Sequence, residues 1–167
     1  MTVKKTIALI GTGRSGESHV SKLVNNYRLL TVMEAIGQNF ALPHLNIQEE
    51  SLSEFEFIDC AKEACWEADI IALFGPENIK RGLIQQIKEV ATQKMVVAFN
   101  EVHGKASVIA NGYSTLRLLL PHSKVFWVVI DPASKQAVIE GNEEDASVVE
   151  NMSQLMEYKP VILERKL

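Results

Sequence analysis

A short apolar run that leads directly into a glycine-rich turn is the feature that most constrains how this chain folds. Residues 7–10 are all apolar, as is typical of a parallel strand buried on both faces. Gly11, Gly13 and Gly16 follow in the spacing G-x-G-x-x-G. Gly11 permits a tight turn, Gly13 lets the backbone approach a ligand closely, and Gly16 lets the next helix pack closely on the strand. The segment therefore predicts a strand, a phosphate-binding turn and a helix.

The residues behind the turn pass two further tests for a dinucleotide site. Apolar side chains recur there at the spacing of a helix with one buried face: Val20, Leu23, Val24 and Tyr27. Glu34 then closes a β-rich run at 29–33, where a carboxylate can accept hydrogen bonds from adenosine ribose hydroxyls. Because Glu34 would also repel a 2′-phosphate, the sequence favours NAD slightly over NADP. The alternative is a glycine-rich turn in another α/β domain, with Glu34 merely solvated.

Length and composition predict one globular domain spanning residues 1–167. The net charge of -4 offers no basic surface for nucleic acid. We find no apolar stretch of membrane-spanning length and no signal-peptide pattern. Cys60 and Cys65 lie five apart in a predicted helix and indicate reduced thiols rather than a disulfide or a metal site. We therefore expect a cytoplasmic protein with no metal, nucleic-acid or membrane partner.

Strand-like and helix-like segments alternate along the rest of the chain. Residues 35–53 carry no clear pattern. Beyond them the patterns predict strands at 55–58, 68–74, 95–99, 124–130, 137–141 and 160–164, and helices at 61–67, 79–87, 106–120 and from 143 onward, after an Asn142 cap. Trp127 is expected to be a core residue. This alternation predicts an α/β, Rossmann-like, doubly wound and mostly parallel sheet in three layers.

Several segments occur in an order that resembles a known family. They are K-x-I-A-L-I-G-T-G-R-S-G at 5–16, E-A-D-I-I-A-L-F-G-P at 67–76, L-L-P-H-S-K-V at 119–125, I-E-G-N-E-E-D-A-S-V-V-E-N-M at 139–152 and K-P-V at 159–161. The chain resembles the deazaflavin-dependent NADP oxidoreductase family and, more loosely, the N-terminal domains of pyrroline carboxylate reductases. The resemblance spans most of the chain outside about residues 35–55. It implies a Rossmann fold with a small α/β extension and hydride exchange with a nicotinamide.

The resemblance also implies which residues hold the cofactor. The pyrophosphate would be held by Gly11, Thr12, Gly13, Arg14, Ser15 and Gly16. A ribose would lie beside Phe74, Gly75 and Pro76, and the nicotinamide near Asn100. The family often has Ser-Arg after the second strand to hold a 2′-phosphate. Residues 33–35 read Met-Glu-Ala instead, which again favours NAD.

His103 is the candidate general acid if a proton moves together with the hydride. It follows the fifth predicted strand, and ligands of open α/β sheets bind outside the carboxyl ends of the strands. Its imidazole titrates near neutrality, as a general acid requires. The alternative is a histidine in a solvated loop.

These observations predict an NAD(P)-binding oxidoreductase that exchanges a hydride between a nicotinamide cofactor and an unidentified small acceptor. A non-catalytic dinucleotide-binding or sensing module stays open, because the family's C-terminal helices are expected to be absent after the last predicted strand. Binding of acyl-CoA or a nucleoside monophosphate on the same fold also stays open. A short-chain dehydrogenase is disfavoured by Ile10 and by Tyr113-x-x-x-Arg117 in place of Tyr-x-x-x-Lys. An uncovered sheet face is compatible with a homodimer.

Overall fold

The computed structural model describes residues 4–11, 22–32, 55–75, 81–101 and 112–163, and a single sheet runs through these ranges. Its strands are β1 (Thr6–Gly11), β2 (Arg28–Val32), β3 (Phe55–Ile58), β4 (Ile70–Phe74), β5 (Met95–Glu101), β6 (Lys124–Asp131), β7 (Gln136–Glu140) and β8 (Lys159–Ile162). They lie in the order β3-β2-β1-β4-β5-β6-β7-β8. Neighbours from β3 to β6 are parallel, β6 and β7 are antiparallel, and β7 and β8 are parallel. The order of the first six strands is that of a doubly wound sheet, as predicted.

Helices cover both faces of this sheet. In the described part of the chain they are α1 (Ala61–Glu67), α2 (Arg81–Lys88), α3 (Gly112–Leu119) and α4 (Ala146–Leu155), with a 3-10 turn at Glu143–Asp145. One apolar cluster joins the sheet to α4 and to the buried residues Leu23 and Val24, and we call this side the α4 face. A second cluster joins the sheet to α1, α2 and α3, and we call it the α1–α3 face. The three-layer prediction is confirmed.

Burial explains why the central strands have near-continuous apolar sequences. Every residue of β4 is buried, and so are all residues of β1 and β5 except the last of each. A strand with helices on both sides must be apolar on both faces. β7 instead alternates buried residues with exposed or half-buried ones, and β8 forms one edge of the sheet with most of its residues exposed.

Two strands have ends that differ from the predicted ones because of tertiary contacts. β4 begins at Ile70 rather than at residue 68, because Ala68 ends α1 by donating its N–H to the carbonyl of Ala64. Asp69 then accepts a 2.9 Å hydrogen bond from the backbone N–H of Thr6. β5 continues past its predicted end at Phe99, because Asn100 and the residue after it pair with β6.

The cap of the last helix is only partly as predicted. Asn142 Oδ1 accepts a 3.3 Å hydrogen bond from the N–H of Glu144. The residues that follow form a 3-10 turn, so α4 begins at Ala146 and not at residue 143. The predicted helix at 106–120 is described only from Gly112 onward, where it ends at Leu119.

The two cysteines are placed differently from each other. Cys65 lies inside α1 and is buried, whereas Cys60 precedes the helix and is exposed, so the prediction that both lie in one helix was wrong. Among the helices of the described residues, none has the length and apolar character needed to cross a membrane.

Candidate functional site

The strand order reverses between β1 and β4, and the carboxyl ends of these two strands lie side by side. Gly11, the last residue of β1, is in register with Phe74, the last residue of β4. Ligands of doubly wound sheets bind in the crevice outside the carboxyl ends of the strands at such a reversal. The fold therefore brings Gly11, Phe74 and Gly75 to the position where a ligand is expected.

Gly11 occupies a backbone conformation that requires glycine. Its φ is +138°, in a region that residues with a side chain rarely adopt. A Cβ atom at this position would overlap the carbonyl oxygen of Phe74 and would lie 2.9 Å from its carbonyl carbon. The chain can therefore leave β1 in this direction, and this close to β4, only because residue 11 has no side chain.

The carboxyl end of β4 is fixed by contacts with β5. Gly75 has a φ of +63° and donates its N–H to the carbonyl of Phe99 at 3.1 Å. The rings of Phe74 and Phe99 stack on the α4 face with centroids 5.1 Å apart and an interplanar angle of 15°. Both side chains are buried. This pair gives the end of the sheet below the crevice a rigid, apolar floor.

Asn100 is a buried polar residue of β5. It was predicted to follow the strand, but it lies within the strand and its side chain is only 4% exposed. Side chains alternate between faces along a strand, so Asn100 shares the α1–α3 face with Ala98. Its Nδ2 and Oδ1 atoms have no hydrogen-bond partner among the described residues. A buried polar atom left without a partner costs about 1–3 kcal/mol.

A second buried donor, which the sequence did not single out for function, lies on the same face of the next strand. Trp127 belongs to β6, is 8% exposed, and was correctly predicted to be a core residue. Its indole Nε1 has no hydrogen-bond partner in the described part of the chain. The only sequence signal was a tryptophan inside a strand otherwise made mostly of aliphatic residues, because buried indoles usually need a partner for their N–H group.

Several predicted site residues lie outside the described residues. They are Thr12, Gly13, Arg14, Ser15, Gly16, Glu34, Pro76 and His103. Of the predicted cofactor-binding set, the structure thus places Gly11, Phe74, Gly75 and Asn100, at the carboxyl ends of the neighbouring strands β1, β4 and β5.

Two other candidates for chemistry among the described residues were a metal site and a reactive thiol. No group of three or more His, Cys, Asp or Glu side chains there could hold a metal ion. Burial raises the pKa of the Cys65 thiol to about 12. This thiol is therefore protonated near neutral pH and is a poor nucleophile.

Comparisons with known proteins support the fold. No family model matches the sequence, and no curated protein matches it. A protein from Arthrobacter sp. FB24 named as an F420-dependent NADP reductase is similar in structure, with a TM-score of 0.66 and 16% identity over 95% of this chain and 84% of that one. A pyrroline-5-carboxylate reductase from Coxiella burnetii has a TM-score of 0.67 and 15% identity over 98% of this chain and 60% of that one.

An imine reductase from Myxococcus stipitatus, solved in complex with NADP+, is also similar. Its TM-score is 0.65 and its identity is 13%, over 95% of this chain and 54% of that one. The chain thus spans little more than half the length of the Coxiella burnetii and Myxococcus stipitatus enzymes. These neighbours include the kinds of protein that the sequence motifs resemble, and the Rossmann fold is confirmed.

Proposed function

We propose that this chain binds a nicotinamide dinucleotide in the crevice at the carboxyl ends of β1 and β4, and that it is an oxidoreductase. It would exchange a hydride between the cofactor and an unidentified small acceptor. The observation that carries the proposal is Gly11, with its φ of +138°, at the point where the strand order reverses. The similar folds of the nicotinamide-dependent reductases agree with it.

The residues present fit such a cofactor. Gly11 opens the G-x-G-x-x-G turn and has no Cβ that could keep a diphosphate away from the backbone. In the proposal, N–H groups of the predicted turn and of the predicted helix after it would bind the diphosphate. Phe74 and Gly75 would lie beside a ribose, and Asn100, at the carboxyl end of β5, would lie near the nicotinamide.

When bound, the nicotinamide would supply the hydride chemistry. The protein's task in a direct hydride transfer is to orient two rings and to exclude water. The stacked and buried Phe74 and Phe99 rings provide a dry and rigid support at this end of the sheet. His103 is proposed as the general acid where a proton must also move. His103→Gln would then lower turnover and remove a basic-limb pKa from the pH profile.

Glu34 is proposed to set the choice between the two nicotinamide cofactors. Glu34 lies two residues beyond β2 in the sequence, and its carboxylate would accept hydrogen bonds from the adenosine ribose and repel a 2′-phosphate. We therefore propose NAD as the preferred cofactor. Glu34→Ala should narrow the difference in affinity between NAD and NADP, mainly by improving the binding of NADP.

Calorimetric titration with NAD+, NADH, NADP+, NADPH, ADP-ribose and coenzyme A tests the proposal directly. We expect NAD(H) and ADP-ribose to bind, and coenzyme A to bind weakly or not at all. Gly13→Val should weaken NAD+ and ADP-ribose at least tenfold, whereas Gly82→Ala, at an exposed position of α2 with nothing near its Cβ, should not. Unchanged affinity in Gly13→Val would contradict the proposed phosphate site.

A screen of small acceptors, monitored by the absorbance of the reduced cofactor, tests turnover. Binding together with turnover supports the oxidoreductase. Binding without turnover on any acceptor would instead indicate a dinucleotide-binding or sensing module. A homodimer remains part of the proposal, and light scattering of the purified chain with and without NAD+ measures it.

A further inference from the structure

The β8 edge of the sheet carries a run of exposed apolar residues. Among the described residues, three of the five exposed large apolar side chains are consecutive: Val161 at 38%, Ile162 at 38% and Leu163 at 48%. β8 is the last strand in the order of the sheet. An open edge with apolar side chains is a template for pairing with another strand. The run therefore indicates an interaction surface.

The exposed run reaches both faces of the sheet. Val161 is in register with Val138, and Ile162 is in register with Ile139. Ile139 belongs to the α4 face, and side chains alternate along a strand, so Ile162 lies on the α4 face and Val161 on the opposite one. A partner that docks on one face would cover only one of these two side chains. A strand added at the edge flanks both of them.

The backbone of β8 offers a defined set of groups to such a strand. The N–H groups of Lys159 and Leu163 donate to carbonyls of the chain segment that carries β7, each at 2.8 Å. Because this direction alternates along a strand, Pro160 and Ile162 turn their backbone groups away from β7. Proline has no N–H group. The open edge therefore presents one donor, the N–H of Ile162, between the carbonyls of Pro160 and Ile162.

An identical strand in antiparallel orientation fits this set. With Val161 opposite Val161 of the second copy, the N–H of Ile162 meets the carbonyl of Pro160 of the copy, and symmetry forms the same bond a second time. The two valines become a non-hydrogen-bonded pair, in which opposite side chains lie closest. Only the carbonyl of Ile162 has no donor opposite it, and water can reach that oxygen.

Proline and charge disfavour the neighbouring registers. Antiparallel strands can shift only by two residues, because hydrogen-bonding residues must face each other. A shift in one direction would set Pro160 opposite Pro160, where neither strand has a donor. The other shift would bring Lys159 opposite Arg165, a residue of the same charge. In the register centred on Val161, Lys159 instead lies opposite Leu163, which its aliphatic stem can cover.

We infer that β8 is the interface of a homodimer, in which it pairs with β8 of a second copy about a two-fold axis at Val161. The two sheets then form one continuous sheet. The inference rests on the proposed function only in that the chain forms a homodimer, and it does not depend on the cofactor. The paired strands are short, about 17 Å long, so we expect a dimer that dissociates on dilution, with a Kd of about 1–100 µM.

Sedimentation velocity of the full chain between about 1 and 500 µM measures this dimer. Ile162→Pro removes the outward N–H and no N–H that donates to β7, so it should weaken the dimer about tenfold or more. Its melting temperature should stay close to that of the wild type. Leu118→Lys is the control, because Leu118 is an exposed apolar residue of α3. This variant should leave the Kd within about twofold.

Opposite charges at residue 161 test the position of the axis. In Val161→Lys alone, or Val161→Glu alone, two like charges face each other across the axis, so each variant should dimerise less well than the wild type. An equimolar mixture of the two variants sets a lysine opposite a glutamate. The mixed dimer should therefore be about fivefold or more tighter than either variant by itself.

The outcomes separate the pairing from the rest of the proposed function. If the wild type dimerises but neither Ile162→Pro nor the mixture changes the Kd as expected, the β8 pairing is overturned and the homodimer stands. If the wild type is still monomeric at about 500 µM, the pairing and the homodimer both fail, and the titration with NAD+ and ADP-ribose judges the dinucleotide site independently. If Ile162→Pro lowers the melting temperature clearly, the mixture of the two Val161 variants decides alone.

Discussion

Substitution of Gly11 by alanine is expected to damage the fold at the point where the crevice begins. Two costs combine in Gly11→Ala. A φ of +138° is strained for any residue with a side chain, at about 1–3 kcal/mol. The new methyl group also collides with the backbone of Phe74 in the adjacent strand, and overpacking of this kind costs about 1–3 kcal/mol.

The free energy of unfolding should therefore fall by about 2–6 kcal/mol in Gly11→Ala. For a chain of this size each kcal/mol corresponds to about 2–4 °C in Tm. Urea denaturation followed by tryptophan fluorescence measures the loss. ADP-ribose affinity should fall in the fraction that stays folded, since the strands on either side of the crevice are pushed apart.

Gly82→Ala is the matched control. Gly82 lies in α2, and a Cβ atom there would meet nothing within 4 Å. Alanine is the better helix former, so this variant should gain about 0.5–1 kcal/mol. A free energy of unfolding of Gly11→Ala within about 0.5 kcal/mol of the wild type would contradict both the backbone strain and the collision, since each predicts a larger loss.

Two further predictions concern the C-terminal end of α1. Burial raises the pKa of Cys65 from 9.0 to about 12, so the folded chain keeps the thiol proton over a pH range in which the unfolded chain releases it. This contribution to stability is complete below about pH 9 and is lost between about pH 9 and pH 12. In urea titrations at several pH values, Cys65→Ala should reduce this decline in the free energy of unfolding, whereas Cys60→Ala, which changes the exposed thiol, should not. If the wild type and both variants lose stability equally between about pH 9 and pH 12, burial of the Cys65 thiol does not cause the decline. Lys94 Nζ donates to the carbonyls of Cys65 and Trp66 at the end of α1, so Lys94→Met should cost about 1–2 kcal/mol. Lys62→Met, which breaks the exposed ion pair with Glu89, is the control, and its free energy of unfolding should stay within about 0.5 kcal/mol of the wild type. If Lys94→Met loses no more stability than Lys62→Met, the hydrogen bonds from Lys94 to the carbonyls of α1 do not stabilise the fold.

Much of the fold could be predicted because the relevant signals are local. The apolar runs of β1 and β4 and the helical spacing of α1 and α2 lie within windows of four to eight residues. A run that is apolar on both faces already implies helices on both sides of the strand. The need for glycine at residue 11 could also be predicted locally, because Gly11 directly follows the first apolar run.

Boundaries at the site depended on partners far along the chain. β5 was predicted to end at Phe99, and no local signal shows that Asn100 continues the ladder. It does so because Val129 of β6 lies beside it. The late start of β4 has a similar origin, since Asp69 is held by the N–H of Thr6, 63 residues away.

The sequence by itself determined the order of the described strands and helices and the glycine at the end of the first strand, and it predicted the class of ligand that we propose. Only the tertiary structure decided that Asn100 and Trp127 are buried on one face without described hydrogen-bond partners, and that Phe74 stacks on Phe99. The physical reason is that propensity and periodicity act over a few neighbouring residues. Whether a polar atom is satisfied depends instead on strand pairing and packing between segments that are remote in sequence.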